Sequence, residues 1–330
     1  MKKIISISIL FVLLVAGGAL LYGKNPLVQS KPVTVRIEAA QTGAEIAQIL
    51  ADKNIIWNPH IFRAALYLSG NADKLQEGHY DLMTNMSMPA VIAALRDGRP
   101  AARQVVIPEG FTVSQIAKRL DRLGIAKKHD FLEAAKVYSL PADMQSTRVT
   151  DYPVEGFLFP STYDVPDGAS VNDIIAHMNR EMQKQLTPEL RQEIAAQGFS
   201  LHDFITLASL VEKEAMYEED RYTIAAVFKK RLAIDMPLQS CASIQYILGE
   251  PKPVLSIADT QIPSPYNTYL HKGLPPGPVA APGKAAMDAV LHAPTTEYLY
   301  FVADAKGYHH FAKTYEEHEA NIDRYAASQY

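Results

Sequence analysis

Apolar and polar residues alternate along Val33–Ile37 and again along Val105–Ile107, and each alternation gives way to a helical period. The segments that follow repeat one another at a spacing of 70 residues: IEAAQTGAEIAQILADKNII from Ile37 and IPEGFTVSQIAKRLDRLGIA from Ile107. Ile37 falls opposite Ile107, Ile46 opposite Ile116, Leu50 opposite Leu120 and Ile55 opposite Ile125. Both segments place a threonine, Thr42 or Thr112, where a helix should start, with Glu45 or Gln115 three residues on, the pattern of a capping box. Gly124 and Asn54 suit the left-handed residue that closes such a helix. A second short helix is expected around Phe62 and around Phe131. Between the two copies the pattern predicts a strand at Gly78–Met83 and a helix at Met88–Leu95 that stops near Gly98.

Periodicity lapses at Ser139–Asp151 and returns as helices over Val171–Gln185, Pro188–Gln197, Leu201–Ala215 and Arg221–Ile234. Residues 251–283 hold eight of the 21 prolines, which excludes a regular helix or an inner strand there. Structureless loops of that length are usually functional. Tyr298–Ala303 and Tyr308–Lys313 read as a hairpin turning at Asp304–Gly307, and a last helix is expected over Tyr315–Tyr330. Strand–helix–helix–strand resembles the plan of small carbohydrate-binding modules of the LysM kind, although a spacer built by duplication satisfies the same pattern. The expected fold class is α+β: an N-terminal transmembrane helix (residues 1–23 with its cytoplasmic tip), a LysM-like region (24–145), and a mixed α+β catalytic domain (146–330).

The anchor follows from Ile4–Tyr22, 19 residues without a charge, preceded by Lys2 and Lys3. A helix of that length, rising about 1.5 Å per residue, just crosses a hydrocarbon core. The two lysines keep their end in the cytoplasm and the body outside. A cleaved signal peptide is the rival, but its apolar run would be shorter, and Ala16-Gly17-Gly18-Ala19 is a poor cleavage site. Apolar residues make up 48% of the chain and charged ones 21%, enough core to exclude disorder. The net charge of −4 becomes −6 without Lys2 and Lys3, which argues against a nucleic-acid partner. The single Cys241 permits no intrachain disulfide and reads as a buried residue. Ten histidines form no HExxH or Cys/His pattern, and there is no phosphate-binding glycine loop, so no metal or cofactor is expected.

Four blocks carry the candidate chemistry: EGFLFPSTY from Glu155, LASLVEKEA from Leu207, SPYNTYLHKGLPPGP from Ser264, and EYLYFVAD from Glu297. On a helical wheel Phe204, Leu207, Ala208, Val211 and Ala215 share one face, with Thr206, Ser209 and Lys213 opposite. Glu212 and Glu214 then flank the apolar stripe on its two sides, and the wheel does not choose between them. Partial burial there would raise a carboxyl toward a general acid's range; a solvated pair of surface charges fits the same positions. Most glycosidases need two carboxylates, which makes Glu155 the second candidate, against a helix-terminus or loop contact. Tyr266, Asn267, Thr268 and Tyr269 offer ring faces, a carboxamide and hydroxyls suited to sugars, although Asn and Pro also make ordinary turns.

Taken in order, EGFLFPSTY, LASLVEKEA, VFKKRL (Val227–Leu232), SPYNTY, GLPPGP and YLYFVA resemble the MltG/YceG family of endolytic murein transglycosylases over essentially the whole chain. The resemblance implies cleavage of the MurNAc–GlcNAc β-1,4 bond in nascent peptidoglycan without water, leaving 1,6-anhydroMurNAc ends. It puts the catalytic acid on the second glutamate of the EKE triplet, Glu214. It further implies substrate contacts by Glu155, Gln239, Ser240, Tyr266, Asn267, Thr268 and Tyr269. The implied location is the inner membrane with the catalytic domain in the periplasm, among the penicillin-binding-protein synthases. Ser161, Cys241-Ala242 and Glu319 depart from the family pattern and bear on substrate preference. The alternatives are a non-catalytic wall-binding scaffold and a hydrolytic muramidase using Glu155.

Overall fold

A computed structural model describes residues 28–98, 102–166, 169–250, 252 and 254–326. The apolar run Ile4–Tyr22 lies outside them. Among the described residues no single helix is long and apolar enough to cross a membrane. By compactness the chain divides into two units, residues 1–104 with 164–169, and residues 105–163 with 170–330. The second copy of the repeated helix pair therefore belongs to the unit that carries the glutamate helix.

The first unit runs β1 (Pro32–Ile37), α1 (Gly43–Asp52), α2 (Pro59–Leu68), β2 (Gly78–Met83) and α3 (Met88–Arg96). Strands β1 and β2 are antiparallel, with Val33 opposite Leu82 and Val35 opposite Tyr80. That register puts the buried Val35, Ile37, Tyr80 and Leu82 on one face, against Leu50, Ile55 and Phe62 from the helical layer. Helix α1 starts as its sequence predicts: Glu45 N–H donates to Thr42 Oγ1 and Thr42 N–H donates back to Glu45 Oε2. Asn54 closes the turn after it at φ +58°.

A second two-stranded sheet pairs β3 (Ala102–Ile107) with β4 (Ser161–Pro166), a strand the hydrophobic pattern did not announce. The second unit continues through α4 (Val113–Arg122), α5 (Lys128–Val137), α6 (Val171–Gln185), α7 (Pro188–Ala196), α8 (Leu201–Glu214), α9 (Glu218–Ala233), α10 (Cys241–Leu248) and α11 (Lys284–Leu291). The antiparallel hairpin β5 (Tyr300–Ala303) and β6 (His309–Ala312) precedes α12 (Tyr315–Asn321), which passes into a π-turn at Ile322–Ala326. Thr112 and Gln115 form the second capping box, and Gly124 ends α4 at φ +65°.

Helix α8 departs from the amphipathic reading. It packs against α7, α9, α10 and α11, so protein surrounds it, and Thr206 and Ser209 on the supposed outer face are fully buried. Their hydroxyls are satisfied inside the helix. Thr206 Oγ1 donates to the His202 carbonyl at 2.8 Å and Ser209 Oγ to the Thr206 carbonyl at 2.7 Å. Ser209 Oγ also accepts from Val279 N–H at 3.0 Å, fixing the proline-rich loop to the helix. Two further backbone bonds of 2.8 Å tie that loop to the start of the unit: Gly110 N–H to the Ala281 carbonyl and Ala281 N–H to the Phe111 carbonyl.

The corner at Glu155-Gly156 is built without slack. Gly156 has φ +79°, and a Cβ on it would lie 2.4 Å from Pro278 Cβ. Glu155, 2% exposed, accepts Val113 N–H at 3.0 Å and thereby caps α4, the helix-terminus role that its position allowed. Burial pushes its carboxyl up to about 8 against the opposing pull of the Val113 N–H.

Two outcomes follow from this corner. Gly156→Ala combines a forced left-handed alanine with a clash, and should lower stability by roughly 2–4 kcal/mol in chemical denaturation. Glu155 holds its proton more tightly folded than unfolded, so its contribution to stability is complete below pH 4.5 and vanishes as pH rises to about 8. Glu155→Gln should remove that slope. Urea titrations of both proteins across this range should diverge increasingly toward pH 8, with the variant the more stable; parallel curves would refute the assignment.

Candidate active site

The last turn of α8 carries Glu212, Lys213 and Glu214, and the structure separates the two carboxylates. Glu212 Oε2 accepts Gly283 N–H at 3.0 Å, at the N-cap of α11. Burial, with Glu109 nearby as a second cause, raises its carboxyl above the ordinary value, opposed by that N–H. The end of the exposed Glu109 side chain covers Gly283, and a Cβ there, 1.9 Å from Glu109 Oε1, would have to turn that side chain away. Glu212 is thus engaged with backbone.

Glu214 is half-buried and faces a different partner, the N-terminus of α10. Its Oε1 accepts from Ser240 Oγ and, at 3.2 Å, from Ala242 N–H. Ser240 is the N-cap of α10 but does not cap it with its own side chain; the Glu214 carboxylate takes that place. No hydrogen bond reaches Glu214 Oε2 from the described residues. One oxygen of the group is held and the other is available.

The YNTY loop supports this arrangement from beneath. Thr268, 1% exposed, accepts Ser240 N–H on Oγ1 at 2.9 Å, meets Ser243 Oγ at 2.9 Å, and accepts Gln239 N–H on its carbonyl at 3.0 Å. Asn267 is fully buried. Its Nδ2 donates to the Thr260 and Ile262 carbonyls at 3.0 and 2.8 Å, and its Oδ1 accepts Tyr269 N–H at 2.9 Å. Both side chains, read from sequence as sugar-facing, are buried in contacts of their own: Thr268 holds the start of α10 and Asn267 holds the loop. For Asn267 the physical reason lies in the prolines: a segment poor in N–H donors cannot close on itself with backbone alone, so a buried side chain supplies the bonds.

Gln239 is exposed with φ +49°, a conformation an L residue adopts at a cost. The pattern of apolar positions missed what holds it there. Arg231, 6% exposed, donates to the Leu238 carbonyl at 2.7 Å and the Leu299 carbonyl at 2.6 Å, with Tyr300 5.3 Å away under the guanidinium. Desolvation lowers its pKa from the ordinary arginine value. Its position within VFKKRL was the only signal available in the sequence. Cys241 was expected to be buried, yet the residue is exposed in the first turn of α10. Its sulfur stands 3.2 Å from Tyr269 Oη, and desolvation, followed by the Glu214 charge, pushes the thiol up to about 11. Tyr266 packs its ring 4.9 Å from that of Tyr246. Glu155 is tied to α4 and Tyr246 rather than to α8.

The chain matches the YceG-like family over residues 35–324. It is 34% identical to a Bacillus subtilis protein named endolytic murein transglycosylase, across 96% of this chain and 92% of that protein. It is 33% identical to a protein of the same name from Streptococcus pneumoniae, across 99% of this chain but only 65% of that longer protein. The crystal structure of a YceG-like protein from Listeria monocytogenes superposes with a TM-score of 0.61 at 35% identity, covering 88% of this chain and 99% of that one. Sequence and fold agree, and the chain belongs to the YceG-like family.

Proposed function

We propose that the protein is an endolytic murein transglycosylase in which Glu214 is the single acid and base. The observation that carries this reading is the asymmetry of that carboxyl group: Oε1 is fixed by Ser240 and Ala242, while no described group bonds Oε2. A proton on Oε2 would pass to the glycosidic oxygen as the MurNAc C1–oxygen bond breaks, releasing the GlcNAc 4-hydroxyl. The carboxylate would then take the proton of the MurNAc 6-hydroxyl as that oxygen closes on C1, giving the 1,6-anhydro ring. Attack from within the same sugar needs no activated water and no second carboxylate, and draws on proximity for much of its rate. Glu155 supports the one-carboxylate reading against a hydrolytic muramidase, because it is buried and bonded to α4. The names of the Bacillus and Streptococcus relatives support the substrate.

Around this centre the same reading places an inner-membrane anchor at Ile4–Tyr22 with the body in the periplasm, supported by Lys2 and Lys3. The β1–α1–α2–β2 region engages glycan in the manner of LysM modules, supported by its element order. Penicillin-binding-protein synthases that make the nascent strands are its partners, to be sought by cross-linking in membranes. Recovery of the protein in the soluble fraction, with a mature terminus near residue 20, would remove the anchor.

Glu214→Gln should abolish anhydro-muropeptide release from purified glycan strands, a loss of at least roughly 10²–10⁴-fold, with an unchanged melting temperature. Glu212→Gln keeps a side-chain oxygen for Gly283 N–H and should retain most activity. Ser240→Ala should fall between them, because it frees Oε1 without removing it. Mass spectrometry of the products decides each case, and reducing ends in place of anhydro ends would convert the assignment to a hydrolase.

A further inference from the structure

The two copies of the repeat share their packing and differ in charge. At the 70-residue spacing Gln48 is matched by Lys118, Asp52 by Arg122, Trp57 by Lys127 and Asn58 by Lys128. Residues 44–58 carry Glu45, Asp52 and Lys53; residues 114–128 carry Lys118, Arg119, Arg122, Lys127 and Lys128 against the single acid Asp121. Helix stability does not call for this difference. Both helices have ten residues and a capping box, and α1 ends without a basic residue in its last turn. Arg119 is committed to the fold: it donates to the Val106 carbonyl at 2.7 Å and lies over the Phe111 ring. Lys118, Arg122 and Lys127 are exposed, and none of them has an ion-pair partner among the described residues.

The placement of Lys118 and Arg122 gives this charge a direction. Val113, Ile116, Ala117 and Leu120 form the buried side of α4. At about 100° per residue, Ser114, Gln115, Lys118 and Arg122 fall within an arc of about 100° on the opposite side. Ser114 and Gln115 line a cavity of about 500 Å³ that Lys213 and Ala242 line as well, and Ala242 gives its N–H to Glu214. The cationic face therefore begins at a cavity beside the last turn of α8 and extends for about 12 Å, from Ser114 to Arg122. Asp151 and Glu250 stand on the cavity wall, so an anion is better received along α4 than inside.

Murein strands have the complementary charge: their muramic residues carry peptides with free carboxylates, which recur along the polymer. We propose that the Lys118–Arg122 face of α4 receives stem-peptide carboxylates of the strand that Glu214 cuts. An ammonium and a guanidinium both pair with carboxylates, and at an exposed surface each contact is weak and screened by salt. The assignment rests on the reading of the protein as a murein-cleaving enzyme, and it adds a preference for strands that keep their acidic peptides.

The test uses the full chain carrying Glu214→Gln, so that strands are bound and not cut. Calorimetry compares uncross-linked murein strands with the same strands after their carboxylates have been converted to amides by carbodiimide and ammonium. The native strands should bind about tenfold more tightly at low salt, and the difference should close as salt rises toward about 1 M. Adding Lys118→Gln together with Arg122→Gln should cut the preference to about threefold or less and leave the amidated strands unchanged. Glutamine is as good a helix former as either residue, and melting temperature is the fold control. Equal affinities, no binding of native strands, or a preference that survives the double substitution would overturn the proposal. So would loss of binding to phosphatidylglycerol vesicles in the double variant with its strand preference intact, which would assign the face to a membrane surface. Wild-type cleavage by Glu214→Gln would instead overturn the underlying reading, a separate measurement from any of these.

Discussion

Three glutamates in the second unit each sit at the N-terminus of a helix that is not their own. Glu155 meets α4, Glu212 meets α11 and Glu214 meets α10. Helix N-termini leave backbone N–H groups without internal partners, and a carboxyl group from elsewhere in the chain satisfies them. The site depends on this recurring contact. Two of the three glutamates bring α10 and α11 to the end of α8; the third brings α4 to the same unit. The difference among them is in their partners and burial: Glu155 is 2% exposed and holds Val113 N–H and the Tyr246 hydroxyl, Glu212 holds the Gly283 N–H, and Glu214 holds the Ser240 hydroxyl and the Ala242 N–H on one oxygen.

Helix α8 makes the arrangement rigid. Surrounded by four helices, it cannot shift its last turn without opening the core. Its partner, the proline-rich loop, is short of backbone donors, and side chains complete its bonding: Ser209 Oγ accepts Val279 N–H, Asn267 donates to the Thr260 and Ile262 carbonyls, and Thr268 Oγ1 accepts Ser240 N–H. Catalytic geometry must be kept within about half an ångström to be useful, and a supporting set of buried polar bonds is how a loop can match a helix in precision.

Local signals in the sequence were read well where the physics is local. Both capping boxes, the left-handed Asn54 and Gly124, the β1–β2 alternation and the β5–β6 hairpin depend on residues a few places apart, and the structure has them. Helices α10 and α11 were not foreseen, because at eight residues each they show too little period and owe their starts to glutamates far away in the chain. The same reason hid β4, whose partner is β3. The wheel placed Thr206 and Ser209 in solvent, since a wheel prices a hydroxyl as polar and cannot see that the helix itself satisfies it. For the site, the EKE triplet was visible; the wheel did not choose between its glutamates, and their different partners, Gly283 for Glu212 and Ser240 with Ala242 for Glu214, come from segments far away in the chain. Asn267 and Thr268 have the residue types of sugar contacts and the burial of a scaffold. Arg231 carries no motif of its own, only carbonyls to hold.

The hairpin β5–β6 braces the site from far along the chain. Tyr217, three residues beyond Glu214, stacks on Tyr308 at 4.0 Å and donates to the Lys306 carbonyl, while Asp220 accepts the His309 N–H and Arg231 reaches the Leu299 carbonyl. A chain cut before the hairpin would keep Glu214, Ser240 and Thr268 and lose the contacts that brace the turn after the first and the segment before the second. Chemistry and geometry in this site are therefore separable by truncation.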